Sequence, residues 1–151
     1  KVRGVGFAGV KGFCGGFGQR ALGPWGEAAI KQFVQESIDE ALKLETALAR
    51  VRHTSPVVLM HYAPIAATVA GEPPEIMPFL GSSRLEDPLV RYGVTAVFHG
   101  HAHHGQARGT LSNATPVYNV SWPLLARTQP AHPYVVIECL PSAGAAADAQ
   151  N

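Results

Sequence analysis

Seven histidines occur in the 151 residues, and four of them, His99, His101, His103 and His104, fall within six positions. They directly follow the apolar run Val94-Thr95-Ala96-Val97-Phe98, and a fifth, His61, ends a similar run at Pro56–Met60. Imidazole is the commonest metal ligand in proteins. Two separate strands ending in histidine are hard to explain as core packing, so His61, His101 and His103 are read as metal ligands. His101 and His103 lie two apart in a turn flanked by Gly100 and Gly105. Alternate side chains of such a backbone diverge, so one loop can serve two ions. Two-metal hydrolases hold their ions about 3.5–4 Å apart and clamp both sides of a displacement at phosphorus. Gly100 is expected to let the backbone pass beneath the ions without a Cβ. His53 and His132, isolated in the sequence, are read as structural.

The elements that must position these residues follow from periodicity. Val2–Ala8 is a β-prone run that leads into a glycine-dense stretch from Gly9 to Gly18. That stretch lacks the Gly-Lys-Ser/Thr spacing of a phosphate loop and is expected to be a shaped surface loop. A helix is expected from Pro24 to near Arg52–Pro56. Its apolar face is Ile30, Phe33, Val34, Ile38, Ala41, Leu42 and Leu48, with Glu27–Lys31 and Asp39–Lys43 paired on the wet side. Pro56 to His61 reads as a fully buried parallel strand, continuous rather than alternating. A proline-bearing loop follows, then a short helix over Arg84–Arg91 capped by Ser83 and interrupted or entered by Pro88. Val94–Phe98 is the next strand, and Pro116–Val120 and Tyr134–Cys139 are β-rich. Strand, helix, strand, helix, strand, then further strands predicts an α/β domain with a partly parallel sheet that finishes in antiparallel strands. Ligands bind such sheets at the carboxyl ends of the strands, where these histidines fall.

Composition narrows the rest. The chain is 46% hydrophobic and 15% charged, enough to bury one core. Lys+Arg 12 against Asp+Glu 11 leaves a net charge of +1, which gives no nucleic-acid or membrane-surface signature. Two cysteines, Cys14 and Cys139, make no disulfide framework, and a cytoplasmic location is expected. No apolar run reaches the roughly 20 residues needed to span a bilayer. The chain opens on Lys1-Val2-Arg3, inside a strand-like run and without an initiator Met, which suggests a cut.

Val57-Val58-Leu59-Met60-His61-Tyr62-Ala63-Pro64, followed by Phe98-His99-Gly100-His101-Ala102-His103, resembles the calcineurin-like metallophosphoesterases. The strand Val117-Tyr118-Asn119-Val120 is similar too, so the resemblance runs from Pro56 to Val120. It implies that His61 and His101 bind one divalent ion and His103 a second; mixed N/O sites take Mn, Fe or Zn, and which of them is left open. It also implies a four-layer α/β/β/α sandwich with a mixed sheet, and hydrolysis of a phosphoester by metal-bound hydroxide.

The departures from that family matter as much. Its opening Asp-x-His, Gly-Asp and Gly-Asn-His do not occur, and the only aspartates are Asp39, Asp87 and Asp148. Divalent ions held by neutral imidazoles alone would leave uncompensated charge. Residues 1–140 are therefore read as the C-terminal portion of a metallophosphoesterase domain whose missing partner is its own N-terminal half, and 141–151 as a disordered tail. No catalytic residue is assigned within the chain, and the chain alone is expected to be inactive. Tyr62, His99 and His104 remain as candidates for substrate contact, with His99 and His104 either touching phosphate or facing solvent. Two other readings compete. In a histidine-triad nucleotide hydrolase His99, His101 and His103 would alternate along a strand, which the glycines disfavour and which leaves His61 without a role. In a non-catalytic metal-binding domain the histidines would merely hold zinc, although such sites usually recruit nearby cysteines.

Overall fold

Short runs rich in β-branched and small apolar residues pair side by side in the computed structural model, which describes residues 1–139. β1 (Val5–Gly9), β2 (Ser55–Leu59), β3 (Ala96–His99) and β5 (Pro116–Asn119) are parallel neighbours. β4 (Arg108–Thr110) closes the far edge antiparallel to β5, giving the order β1-β2-β3-β5-β4. The described residues thus form a mixed α/β fold with a five-stranded sheet and three α-helices, α1 (Ala28–Ala49), α2 (Glu86–Arg91) and α3 (Trp122–Thr128). The expected antiparallel finish is confined to β4. The Pro116 strand takes an inner position, parallel to β3 on one side and antiparallel to β4 on the other. Among the described residues no helix is long and apolar enough to cross a membrane.

The core lies on one face of the sheet. Ala8, Val58, Val97 and Val117, one from each parallel strand, are buried with Leu44 and Leu48 of α1 and with Leu85 and Leu89. The opposite face carries Val5, Phe7, Val57, Leu59 and Phe98, and among the described residues no helix lines the cleft over it. Phe7 is 48% and Leu59 49% exposed. Val5 and Val57 are nonetheless buried and Phe98 is half-buried, so the expectation of strands buried on both faces fails only at Phe7 and Leu59. Val135, Val136, Ile137 and Cys139 line a cleft over this bare face together with Phe7 and Leu59. Tyr134–Cys139 forms no strand, contrary to expectation, and its side chains alternate between exposed and half-buried. The expected tail over 141–151 lies outside the described residues.

α1 departs from its expected limits and its expected face. Gly26, at φ 82°, and the extended Glu27 separate Pro24 from the helix, which begins at Ala28 and ends at Ala49. Its buried residues are Val34, Ser37, Glu40, Leu44 and Leu48, whereas Ile30 and Leu42 are exposed. Two polar residues take the place of apolar ones because each has a buried partner. Ser37 bonds Ser82 Oγ at 3.3 Å, and the Glu40 carboxylate accepts the Gly12 amide at 2.8 Å. Lys43 pairs with Glu40 at 2.7 Å rather than with Asp39. The glycine-rich stretch is no surface loop. Gly12, Cys14, Gly15 and Gly16 are buried, and the Gly15 and Gly16 amides donate to Pro78 O and Gly81 O at 2.9 and 3.0 Å. Ser82, not Ser83, caps the turn before α2 by accepting from Arg84 N, and Pro88 sits in the first turn of α2, where its missing N–H is tolerated.

Candidate metal centre

β2 and β3 run parallel, with Leu59 beside Phe98, so the chain emerges from both at the same edge. Met60 N donates to Phe98 O at 2.9 Å and Gly100 N to His61 O at 3.2 Å, which continues the pairing beyond the strands. The turn after β1 joins them, because Lys11 O accepts the amides of His61 and Tyr62 at 3.0 and 3.3 Å. The result is a shallow cleft at the carboxyl edge lined by Val10, Lys11, Met60, His61, Gly100 and Val120.

Two of the expected ligands converge there. His61 Nε2 lies 3.1 Å from His101 Nδ1. The other nitrogen of His101, Nε2, is 3.2 Å from Phe79 O. A carbonyl only accepts, so the proton belongs on Nε2 and the Nδ1 lone pair faces His61. Carbonyl contacts of this kind orient metal-binding imidazoles. With metal–nitrogen bonds of about 2.0–2.1 Å, a separation of 3.1 Å corresponds to roughly 100° at a shared ion. Tyr62 stacks edge-on against both rings, at 5.2 Å from His61 and 4.8 Å from His101, and so walls the pair rather than standing apart from it. Burial lowers the His61 pKa below its ordinary value, and the neighbouring His101 and His103 lower it further, so the ring is held neutral and available as a ligand.

The other histidines have different fates. His103 is exposed, close enough to influence His61, and its carbonyl accepts from Arg127 Nη2 at 3.0 Å. His104 is exposed, and its amide donates to Glu72 Oε1 at 2.7 Å. His99 does not face solvent. It is 1% exposed, and both its nitrogens are occupied, Nδ1 by Gly100 O and Nε2 by Thr68 Oγ1, each at 2.8 Å. Burial lowers its pKa to about 4 despite the opposing Gly100 carbonyl, so this ring is neutral. His53 bonds Arg52 Nε at 3.0 Å, and His132 packs against Tyr134.

The turn that carries His101 is strained. His101 has φ 69°, and Ala102 N donates to Gly100 O at 2.8 Å across a single residue. Together these describe a γ-turn of the rare positive-φ kind, which costs about 1–3 kcal/mol at a non-glycine residue. Gly105 closes the turn by necessity, since a Cβ there would stand 2.1 Å from Thr68 O. A Cβ at Gly100 would meet no atom of the described residues within 4 Å, so the fold itself does not require glycine there.

The donor set suits part of an ion's surroundings. Two imidazole nitrogens approach to 3.1 Å, yet among the described residues no group of three or more His, Cys, Asp or Glu side chains surrounds one point. Glu72, the acid that reaches the histidine turn, directs an oxygen at the His104 backbone. Sequence reasoning missed Thr68, Glu72, Asn119 and the carbonyls of Lys11 and Phe79. Carbonyls leave no trace in residue types, and Thr68 stands 31 positions from the histidine it bonds. Comparison with protein-family models, with curated proteins and with solved structures found no match.

Proposed function

We propose that this chain supplies the C-terminal part of a two-metal phosphoester hydrolase site, as its resemblance to the calcineurin-like metallophosphoesterases implies. The observation that carries the reading is the 3.1 Å approach of His61 Nε2 to His101 Nδ1 at the carboxyl edge of two adjacent parallel strands. His61 and His101 would hold one Mn, Fe or Zn ion, and His103, on the outer limb of the same turn, would serve the second. Such ions, when bound, neutralise phosphate charge and supply the nucleophile. The chain's own part is to orient two imidazoles: Phe79 O fixes the His101 tautomer, and Tyr62 walls both rings.

The carboxylates that divalent ions require would come from a preceding N-terminal half of the domain. Two features support this. No carboxylate among the described residues completes the histidine pair. The sheet also presents half-exposed Phe7 and Leu59 on a face whose cleft no helix lines among the described residues, suited to a second sheet in a four-layer α/β/β/α sandwich.

Calorimetric titration with Mn²⁺ and Zn²⁺ tests the reading. His61→Ala and His101→Ala are each expected to weaken binding at least tenfold, and His53→Ala and His132→Ala by less than twofold. Equal losses at all four positions would remove the assignment. On a chromogenic phosphomonoester and a diester the chain alone is expected to show little turnover, and joining it to the upstream segment should restore it. Metal binding without restored turnover would favour the non-catalytic metal-binding reading instead.

A further inference from the structure

The strained turn at His101 is bounded by two carbonyls, and buried side chains bond both of them. Gly100 O, besides the Ala102 amide, accepts from His99 Nδ1 at 2.8 Å. Ala102 O accepts from Asn119 Nδ2 at 2.7 Å and from Ser121 Oγ at 2.9 Å. The bonding groups are themselves tied together. Thr68 Oγ1 is 2.8 Å from His99 Nε2, and with Nδ1 protonated toward Gly100 O the hydroxyl must donate. Thr68 O accepts from Gln106 N at 3.1 Å and lies 3.4 Å from Asn119 Nδ2, and Asn119 Oδ1 accepts from Ser121 N at 3.2 Å. Thr68, His99, Asn119 and Ser121 are all buried.

We infer that His99 and Thr68 on one side, and Asn119 and Ser121 on the other, are positioning residues that hold His101 in its γ-turn with Nδ1 facing His61. This rests on the metal-site reading above and adds to it which residues keep the ligand in place. A buried polar cluster needs partners wherever it lies, but this one ends on the two carbonyls that flank the single strained histidine. A positive φ at a residue with a side chain persists only where its surroundings over-determine it. The His61 loop gives the contrast. Its φ is not positive, and backbone groups of Lys11 and Gly100 suffice to hold it.

Thr68→Val removes the hydroxyl while keeping the shape, and Thr68→Ser restores it at the loss of a methyl. Co²⁺ titration followed by visible absorbance reads the ligand pair. Ring-to-ring nuclear Overhauser contacts between His61 and His101, and the exchange rate of the Ala102 amide, read the turn without metal. Thr68→Val is expected to weaken Co²⁺ binding about 10–100-fold, to lose the ring contact and to accelerate Ala102 exchange at least tenfold. Thr68→Ser should stay within about threefold of wild type in binding even if it is less stable, a rescue that a general packing role does not predict. Wild-type-like binding, ring contact and exchange in Thr68→Val would overturn the inference. If wild type binds no Co²⁺ while the two metal-free readouts respond as expected, the metal reading fails and the positioning role stands. Should Thr68→Val not fold, Ser121→Ala takes its place, and unchanged Ala102 exchange there would overturn the inference.

Discussion

Phe98 and His99 are consecutive on β3 and point to opposite faces of the sheet, and their surroundings could hardly differ more. His99 faces the helices, fully enclosed, with every polar atom of its ring bonded. Phe98 faces the bare side, stacked on Tyr118 at 5.1 Å beside half-exposed Leu59 and Phe7. Sheets of parallel strands are ordinarily covered on both faces. Here the strands carry the apolar side chains for two covers, and the described residues provide one helix layer. The polar member of the pair is thus the fully buried one, and the apolar member is only half-buried. Burial on the helix side follows the needs of the histidine turn, and exposure on the other side marks the surface proposed to receive a second sheet.

The largest separation between the two faces should appear in stability. Leu44 of α1 is completely buried against Val58 and Val97, so Leu44→Ala should cost about 2–5 kcal/mol, from lost burial together with the cavity left behind. Urea unfolding followed by far-ultraviolet circular dichroism measures it. A loss below about 1 kcal/mol would mean that the helix layer is as loosely seated as the bare face is open, and the contrast would collapse.

What the residues disclosed in advance follows the same division. The strands at Pro56 and Val94, their parallel pairing and the meeting of His61 with His101 were readable, because each depends on local apolar runs and on where those runs stop. The bare face was not, since a continuous run of apolar residues looks the same whether one side or both are covered. α1 misled in a related way. Its apolar periodicity passes through Ile30 and Leu42, but Ser37 and Glu40 are drawn inward by Ser82 and the Gly12 amide, partners that no helical pattern announces. The role of His99 was hidden for the same reason, its hydroxyl partner being set by the loop that carries Thr68.

Acid should attack the covered face first. Enclosure of His99 lowers its pKa to about 4, against an ordinary value of 6.5, with His101 and His61 adding to the effect and the Gly100 carbonyl opposing it. As pH falls the unfolded chain therefore binds the proton before the folded one does. The stabilisation is complete above about pH 6.5 and is lost progressively toward pH 4, to a total on the order of 3 kcal/mol. His61, shifted in the same direction, adds to the slope. Urea titrations at pH 7 and pH 4.5 should show this decline in wild type and a shallower one in His99→Gln. Identical slopes would mean that the ring is not enclosed, and that the two faces differ less than their burial indicates.

The smallest effect is expected on the bare face, where it is the most telling. Leu59 pairs with Phe98 in the sheet yet is 49% exposed, and Thr keeps the β-branched preference of a strand. Leu59→Thr should therefore change stability by no more than about 1 kcal/mol, well short of the Leu44 loss. Its visible consequence should lie in association. An apolar cleft flanked by Phe7, Leu59 and Phe98 favours contact with any similar surface, and the substitution should lower self-association measured by sedimentation velocity. If the face instead receives a second sheet, the same substitution should weaken recombination with the upstream segment, measured by co-purification of separately expressed pieces. A stability loss as large as that of Leu44→Ala would show that Leu59 is already covered within the chain, and the bare face would have to be redrawn as core.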